Sequence, residues 1–207
     1  MTTKSNSYRR SSYNYQCPAT NNIQTHNIKF YKHQIKTTVT KYPNVVSEWI
    51  YNIEKSYHRH LKRLIVRLDT EWQIRYNGGN ESKVAIMQIC VGSHCLIFQI
   101  IHSSYIPPSL INFMNNHNYT FTGVGVRDDL NKLKNEYGIG YNAQLTDLRT
   151  LAEKIYGSGA KYWGLKRLTN IVLEYDSQKP KRITLSPWAK YKLSYEQVEY
   201  ACCIRLI

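Results

Sequence analysis

Leu64-Ile65-Val66-Arg67-Leu68-Asp69-Thr70-Glu71-Trp72 is an apolar, β-rich run that closes on two acidic residues. Side chains alternate faces along a strand, so Asp69 and Glu71 point the same way. Two carboxylates at the exit of a central strand repel each other and cost desolvation. A cation between them relieves both penalties, and a divalent metal bound by oxygen ligands is the commonest such partner. The plain alternative is a strand running into a loop whose polar residues face water, and a short motif alone does not separate the two.

Outward from this run, the pattern reads as an α/β sandwich with a mixed sheet. On the N-terminal side, Ile28-Lys29-Phe30 and Ile35-Lys36-Thr37-Thr38-Val39 alternate as a hairpin or two edge strands. Pro43 suits a helix's first turn, and Val45, Val46, Trp49, Ile50 and Ile53 recur behind it at helical spacing. On the C-terminal side, a polar loop at 76–80 precedes apolar strands at 84–91 and 95–100, joined by Gly92-Ser93. Helices are expected after Pro107-Pro108 and over 127–137, with a strand at 119–124 between them. Asp147 should N-cap a helix to Tyr156, and 164–173 should be helical with Leu165, Leu168 and Val172 on one face. Ser194-Tyr195-Glu196-Gln197 is a capping box for a last helix.

Composition narrows the partners. The 207 residues carry 28 Lys+Arg against 14 Asp+Glu, a formal charge of +14, which predicts salt-sensitive attraction to polyanions, nucleic acid first among them. An anionic membrane surface is the alternative, but no apolar run nears the ~20 residues of a membrane span. Residues 1–25, rich in Ser, Asn, Thr, Tyr and Arg, read as a disordered basic tail without a secretory signal. Cys17, Cys90, Cys95, Cys202 and Cys203 are odd in number and lack the spacing of a disulfide framework, so the chain reads as intracellular and reduced. Cys90 and Cys95 should be buried strand thiols, and most of the 18 tyrosines strand and core residues. No phosphate-binding Gly-x-x-x-x-Gly-Lys-Ser/Thr loop is present, which excludes an ATPase or helicase module in these residues.

A second acidic site is Gly123-Val124-Gly125-Val126-Arg127-Asp128-Asp129-Leu130-Asn131-Lys132-Leu133, where a strand ends at a glycine turn and a helix begins. Asp128 is best read as a helix-dipole or cap residue. Asp129 alone would read the same way, and it gains weight from the company of Asp69 and Glu71.

Taken together with Val84 to Gln99, Tyr162-Trp163-Gly164-Leu165-Lys166-Arg167-Leu168, Trp188 and the stretch Leu193 to Cys202, these motifs resemble the DEDD 3′–5′ exonucleases. The likeness is to the Werner-type exonucleases in particular, including their single-domain plant form, and it runs from about residue 27 to the end. It implies a 3′–5′ exonuclease-like domain over 26–207 with a ribonuclease-H-like mixed sheet flanked by helices, the final helix truncated. It also implies two divalent metal ions, Mg²⁺ or Mn²⁺, acting on DNA or RNA 3′ ends. By the resemblance, Asp69 would bridge both metals, Glu71 would bind one, and Asp129 would hold the second through water. Tyr200 would help orient the attacking water, which marks the tyrosine subclass. Trp72 could line the path of the 3′ end, although an aromatic leaving a strand could equally be core. Lys179, Lys181 and Arg182 form a basic loop that either touches phosphates or is simply solvated. A helicase or end-binding protein partner, oligomers, and a nuclear or cytoplasmic location would all fit the family.

Two departures bear on activity. The family's fourth carboxylate falls one helical turn after the tyrosine, where this chain has Ile204. Residues 203–207 do not look like the family; a splice form, a mispredicted exon or a truncated product would each account for them. With three of four carboxylates, hydrolysis is expected to be weak or absent. Catalytic inactivity with nucleic-acid binding retained is the competing reading. The second departure is Arg67, where a small residue is typical. Its guanidinium either pairs with Asp69 or Glu71 and competes with metal, or is sent to solvent by a local twist. Gln88, in an apolar strand, should be a satisfied buried amide, and Trp188 should pack under the last helix.

Overall fold

A computed structural model describes residues 23–30, 32–73, 82–175 and 180–203. The alternating N-terminal stretches form β1 (Gln24–Phe30) and β2 (His33–Thr40), an antiparallel pair with Ile28 opposite Ile35. The apolar runs that follow form β3 (Leu64–Trp72), β4 (Val84–Val91) and β5 (His94–Phe98), an antiparallel meander. Gly92 makes the β4–β5 turn at φ +54°, where a side chain would be strained. On the other edge of β3, β6 (Tyr119–Gly123) and β7 (Gln144–Asp147) add in parallel. The result is a seven-stranded mixed sheet in the order β1-β2-β5-β4-β3-β6-β7.

Helices cover both faces, which is why every residue of β4 is buried. On one face, α1 (Pro43–Ser56), α2 (Pro108–Met114) and α3 (Val126–Tyr137) bring Trp49, Ile53, Phe113 and Leu130 against Val66, Leu68 and Ile89. On the other face, Trp188 and the helices α5 (Leu165–Leu173) and α7 (Tyr195–Cys203) pack over Ile28, Ile35, Ala85 and Ile97. Each fully buried Leu, Ile or Phe contributes about 1.5–3 kcal/mol relative to exposure, so β3 is held firmly through Leu64, Val66 and Leu68 on the first face, while Ile65 on the other is 64% exposed. Two further helices, α4 (Leu148–Tyr156) and α6 (Lys181–Thr184), complete the described chain. Asp147 caps α4, its Oδ1 accepting from the Arg149 N–H at 2.9 Å. The α7 capping box is reciprocal: Ser194 N–H donates to Gln197 Oε1 at 3.0 Å, and Gln197 N–H to Ser194 Oγ at 3.2 Å.

The mixed sheet flanked by helices is the expected architecture, with three local corrections. β7 goes unread in the sequence, because Gln144-Leu145-Thr146-Asp147 is too short and polar to show a period. Val172 is 48% exposed; the buried stripe of α5 runs Leu165, Leu168, Thr169 instead. Most of the described tyrosines are not core: only Tyr119 and Tyr200 are buried, and Tyr51, Tyr105, Tyr141, Tyr156, Tyr162, Tyr191 and Tyr195 are exposed. A ring with a polar tip is stable at the boundary, so β-propensity alone overstated their burial. Residues 1–22 of the expected tail, and the loop at 76–80, lie outside the described residues; β1 begins at Gln24.

Gly123, at the end of β6, lies against the Leu68 backbone of β3. A Cβ there would stand 2.7 Å from the Leu68 carbonyl oxygen, a backbone atom that cannot rotate away. Gly123→Ala is therefore expected to destabilise the protein by about 1–3 kcal/mol through overpacking, measured as a drop in urea midpoint at unchanged slope. An unaltered midpoint would show that the strands part freely.

Candidate active site

β3 is paired on both edges only as far as Arg67. Its parallel pairing with β6 runs from Leu64↔Tyr119 to Arg67↔Thr122, while its antiparallel pairing with β4 continues to Trp72↔Val84, past a bulge between Glu71 and Trp72. β6 instead ends at Gly123 and turns into α3 through Gly125, which has φ +75°. A fork opens at the carboxyl ends of the two strands, where open α/β sheets bind ligands. Asp69 and Glu71 lie beyond the fork and share a sheet face. Asp69 is 8% exposed, and its Oδ1 accepts from the Thr70 N–H at 2.8 Å.

Thr70 points to the opposite face and ties strand to helix. Its Oγ1 donates to Asp129 Oδ1 at 2.5 Å and accepts from Trp72 Nε1 at 2.8 Å. Asp129 stands in the first turn of α3 and is buried. Burial pushes its carboxyl up to about 6; the Thr70 hydrogen bond opposes this, the charge of Asp128 adds to it, and Lys132 opposes it. Tyr200, on α7, is also buried, and burial and then the charge of Glu71 push its hydroxyl well above the usual range. The Tyr200 hydroxyl is thus within electrostatic range of the Glu71 carboxylate. Its ring packs 5.8 Å from Trp188, which lies under α7 as expected.

The structure thus gathers Asp69, Glu71 and Tyr200 on one face and reaches Asp129 through Thr70. Among the described residues, no three Asp, Glu, His or Cys side chains stand close enough together to hold a metal ion. The donors are nevertheless all carboxylate oxygens, a set suited to a hard divalent cation. The charge of such an ion would bring the Asp129 carboxyl back down.

Trp72 is 38% exposed at the lip of the fork, with Lys132 Nζ 3.3 Å from its ring centroid, so it is not a core residue. Lys181 is exposed. Arg182 does not present a free guanidinium: it forks onto Glu196 at 2.7 and 2.8 Å. Lys179 and Ile204 lie outside the described residues. Arg67 follows neither of its two expected courses. It makes no ion pair with a described carboxylate, and its guanidinium is largely buried near Cys90 and Cys95, which lowers its pKa. Those two thiols are buried and 2.6 Å apart, and Cys202 on α7 meets the Thr37 hydroxyl at 3.0 Å. Gln88 faces Asp69 across the β3–β4 ladder and is buried, but neither of its amide atoms has a hydrogen-bond partner, so the satisfied amide expected there is not formed.

Sequence reading missed Thr70 and Lys132. The Thr-x-Trp spacing inside the acidic motif was the available signal for the first. A cation one helical turn after Asp129 was the signal for the second.

A family model described as 3′-5′ exonuclease matches residues 41–202. A 3′-5′ exonuclease of Arabidopsis thaliana is 38% identical over 138 residues, covering 66% of this chain and 47% of that protein. The bifunctional 3′-5′ exonuclease/ATP-dependent helicase WRN of Mus musculus is 33% identical over 140 residues, covering 66% of this chain and 10% of that protein. The chain therefore spans about half the length of the first relative and a tenth of the second. Among solved structures, Escherichia coli RNase D superposes with a TM-score of 0.64 at 16% identity, over 79% of this chain and 40% of that one, which is a likeness of fold.

The raised Asp129 carboxyl has a thermodynamic consequence. Its folded pKa, about 6, lies above the unfolded value near ~3.9, so between these the folded protein binds more protons than the unfolded chain. The stability from this group is fully present below the unfolded value and is lost as pH rises through about 6. In EDTA, Asp129→Asn should raise unfolding free energy by about 1–3 kcal/mol at pH 8 and change it little at pH 4. Urea titrations at the two pH values measure this; an equal effect at both would refute the burial account.

Proposed function

The chain belongs to the 3′-5′ exonuclease family, and from that premise we propose that it removes nucleotides from the 3′ ends of DNA or RNA by phosphodiester hydrolysis. The observation that carries this reading is the Asp69–Glu71 pair on one sheet face beyond the β3–β6 fork, with Tyr200 in the field of Glu71. Asp69, Glu71 and Asp129 would hold divalent metal ions. The chemistry these supply when bound is charge neutralisation at the scissile phosphate and activation of water.

The chain's own residues do the positioning. Tyr200 stays protonated at neutral pH, so it acts as a hydroxyl donor that orients water rather than as a base. Thr70 fixes the Asp129 carboxyl and, through Trp72, the lip of the fork. The half-exposed Trp72 ring, paired with Lys132, offers a stacking face to the terminal base and a cation to its phosphate. The formal charge of +14 supports a polyanionic substrate. A helicase, joined in one polypeptide in the mouse relative, or another end-binding protein would suit such an enzyme as a partner in DNA repair. No described helix is long and apolar enough to cross a membrane, and a nuclear or cytoplasmic setting fits the substrate.

Ile204 stands where the family's fourth carboxylate falls, so turnover should be slow. A time course on a 5′-labelled, 3′-recessed duplex with Mg²⁺ or Mn²⁺ tests both points. We expect a ladder of shortened products that EDTA and Asp69→Ala abolish and that Ile204→Asp accelerates by at least about tenfold. No ladder from either protein, with salt-sensitive DNA binding intact, would identify a nucleic-acid-binding protein without hydrolysis.

A further inference from the structure

Three thiols that hydrolysis does not use meet under α7. Cys90 of β4 and Cys95 of β5 are direct partners in the antiparallel ladder, the second pair back from the Gly92-Ser93 turn. Cys202 of α7 hydrogen-bonds to Cys95 and lies 3.0 Å from the Thr37 hydroxyl. All three are buried and free. Direct partners in an antiparallel pair have Cα atoms about 4.5–5.5 Å apart, inside the ~4.4–6.8 Å that a disulfide spans. The Cys90 and Cys95 sulfurs are 2.6 Å apart, against ~2.05 Å when bonded, so joining them requires no backbone movement. A shared metal ion fits them poorly: two thiolates on a tetrahedral zinc at ~2.3 Å stand about 3.8 Å apart.

A cation stands beside the pair. Arg67 is the partner of Cys90 in the β3–β4 ladder, and its guanidinium is largely buried near both thiols, with Nη1 lacking an acceptor. Arginine keeps its charge and carries donors only. A thiolate formed here therefore has a counter-charge at hand, and the thiolate is the form of cysteine that reacts.

We propose that Cys90 and Cys95 are a redox modification site, closing to a reversible disulfide when a peroxide reaches them, with Arg67 as the counter-charge of the attacking sulfur. The Cys90 thiolate attacks one peroxide oxygen and the O–O bond breaks. Hydroxide leaves and takes up the proton that Cys90 released, giving water and a sulfenic acid on Cys90. The Cys95 sulfur then attacks the Cys90 sulfur: the S–S bond forms, the S–O bond breaks, and the hydroxyl departs with the Cys95 proton as a second water. Each sulfur gives up one electron and the peroxide takes two. Cys95 suits the second step, because hydrogen bonds to Cys202 and Cys90, and then burial, push its thiol up and keep its proton in place. Peroxide gains access when α7 lifts. Cys202 leaves with that helix, while the ladder keeps Cys90 and Cys95 opposite each other, so the bond forms within the sheet.

Peptide mapping of the full, folded chain tests this. The protein is held overnight in hydrogen peroxide together with reduced glutathione, unfolded in urea with iodoacetamide, and cut with trypsin. Cys90 and Cys95 fall on the peptide 84–127 and Cys202 on 193–205. The expected result is a peptide 84–127 free of alkyl groups and two hydrogens lighter, with Cys202 alkylated. Dithiothreitol before alkylation should restore both sites. Arg67→Met should close the bond at least about tenfold more slowly, and Arg67→Lys, which keeps the charge, at close to the parent's rate. Should Arg67→Met fail to fold, the parent's map still decides. The proposal is overturned if both thiols stay alkylatable when the glutathione is fully oxidised, if they go to sulfinic acid instead, or if the bond joins Cys95 to Cys202. A folded Arg67→Met that closes the bond as fast as the parent overturns the part given to Arg67.

Discussion

Everything at the candidate active site depends on β3 outrunning its parallel neighbour. Up to Arg67 the strand has backbone partners on both sides; beyond it, only β4 remains. The backbone groups freed on the β6 side are what a crevice requires, and at its edge Gly123 leaves room for the Leu68 carbonyl that a side chain would crowd. The acidic pair therefore hangs from a strand that is rigid at its base and open along one edge. A site built this way inherits its precision from the core and its accessibility from the missing neighbour.

The polar side chains around the fork divide by face. On the α3 side, one threonine hydroxyl serves both a tryptophan N–H and a carboxylate. That side is satisfied through a short relay, and its cost is concentrated in the desolvated Asp129. On the α7 side, Gln88, Thr122 and Arg67 each keep a buried polar atom without a hydrogen bond. Native cores seldom hold several such atoms together unless a ligand or water answers them. They lie along one sheet face, from the strand's base to the level of the acidic pair.

Much of this was legible in the sequence, because the relevant signals are local. Period-two alternation gave β1 and β2, apolar runs gave β3, β4 and β5, and Asp147 and Ser194-x-x-Gln197 gave helix starts that hold in the fold. Asp69 and Glu71 were readable because strand alternation fixes their shared direction. What the sequence could not disclose is set by tertiary contacts. Arg67 shares a face with Asp69, yet its guanidinium turns toward Cys90 and Cys95, contributed by two other strands. Arg182 could be read either as a phosphate contact or as a solvated loop residue, and Glu196, fourteen residues on in α7, takes its guanidinium instead. The surface position of most described tyrosines follows from how much sheet the helices cover, which no single segment encodes.

The thiol of Cys202 gives the last helix a clock. It rides on α7 two residues after Tyr200, is fully buried, and rests against the Thr37 hydroxyl of β2. No alkylating reagent can reach it while α7 is seated, so its modification rate counts how often that helix lifts from the sheet. Because Tyr200 departs in the same excursion, the protection of one sulfur atom reports the lifetime of the assembled site. That lifetime is set by subglobal opening and can be far shorter than that of the fold itself.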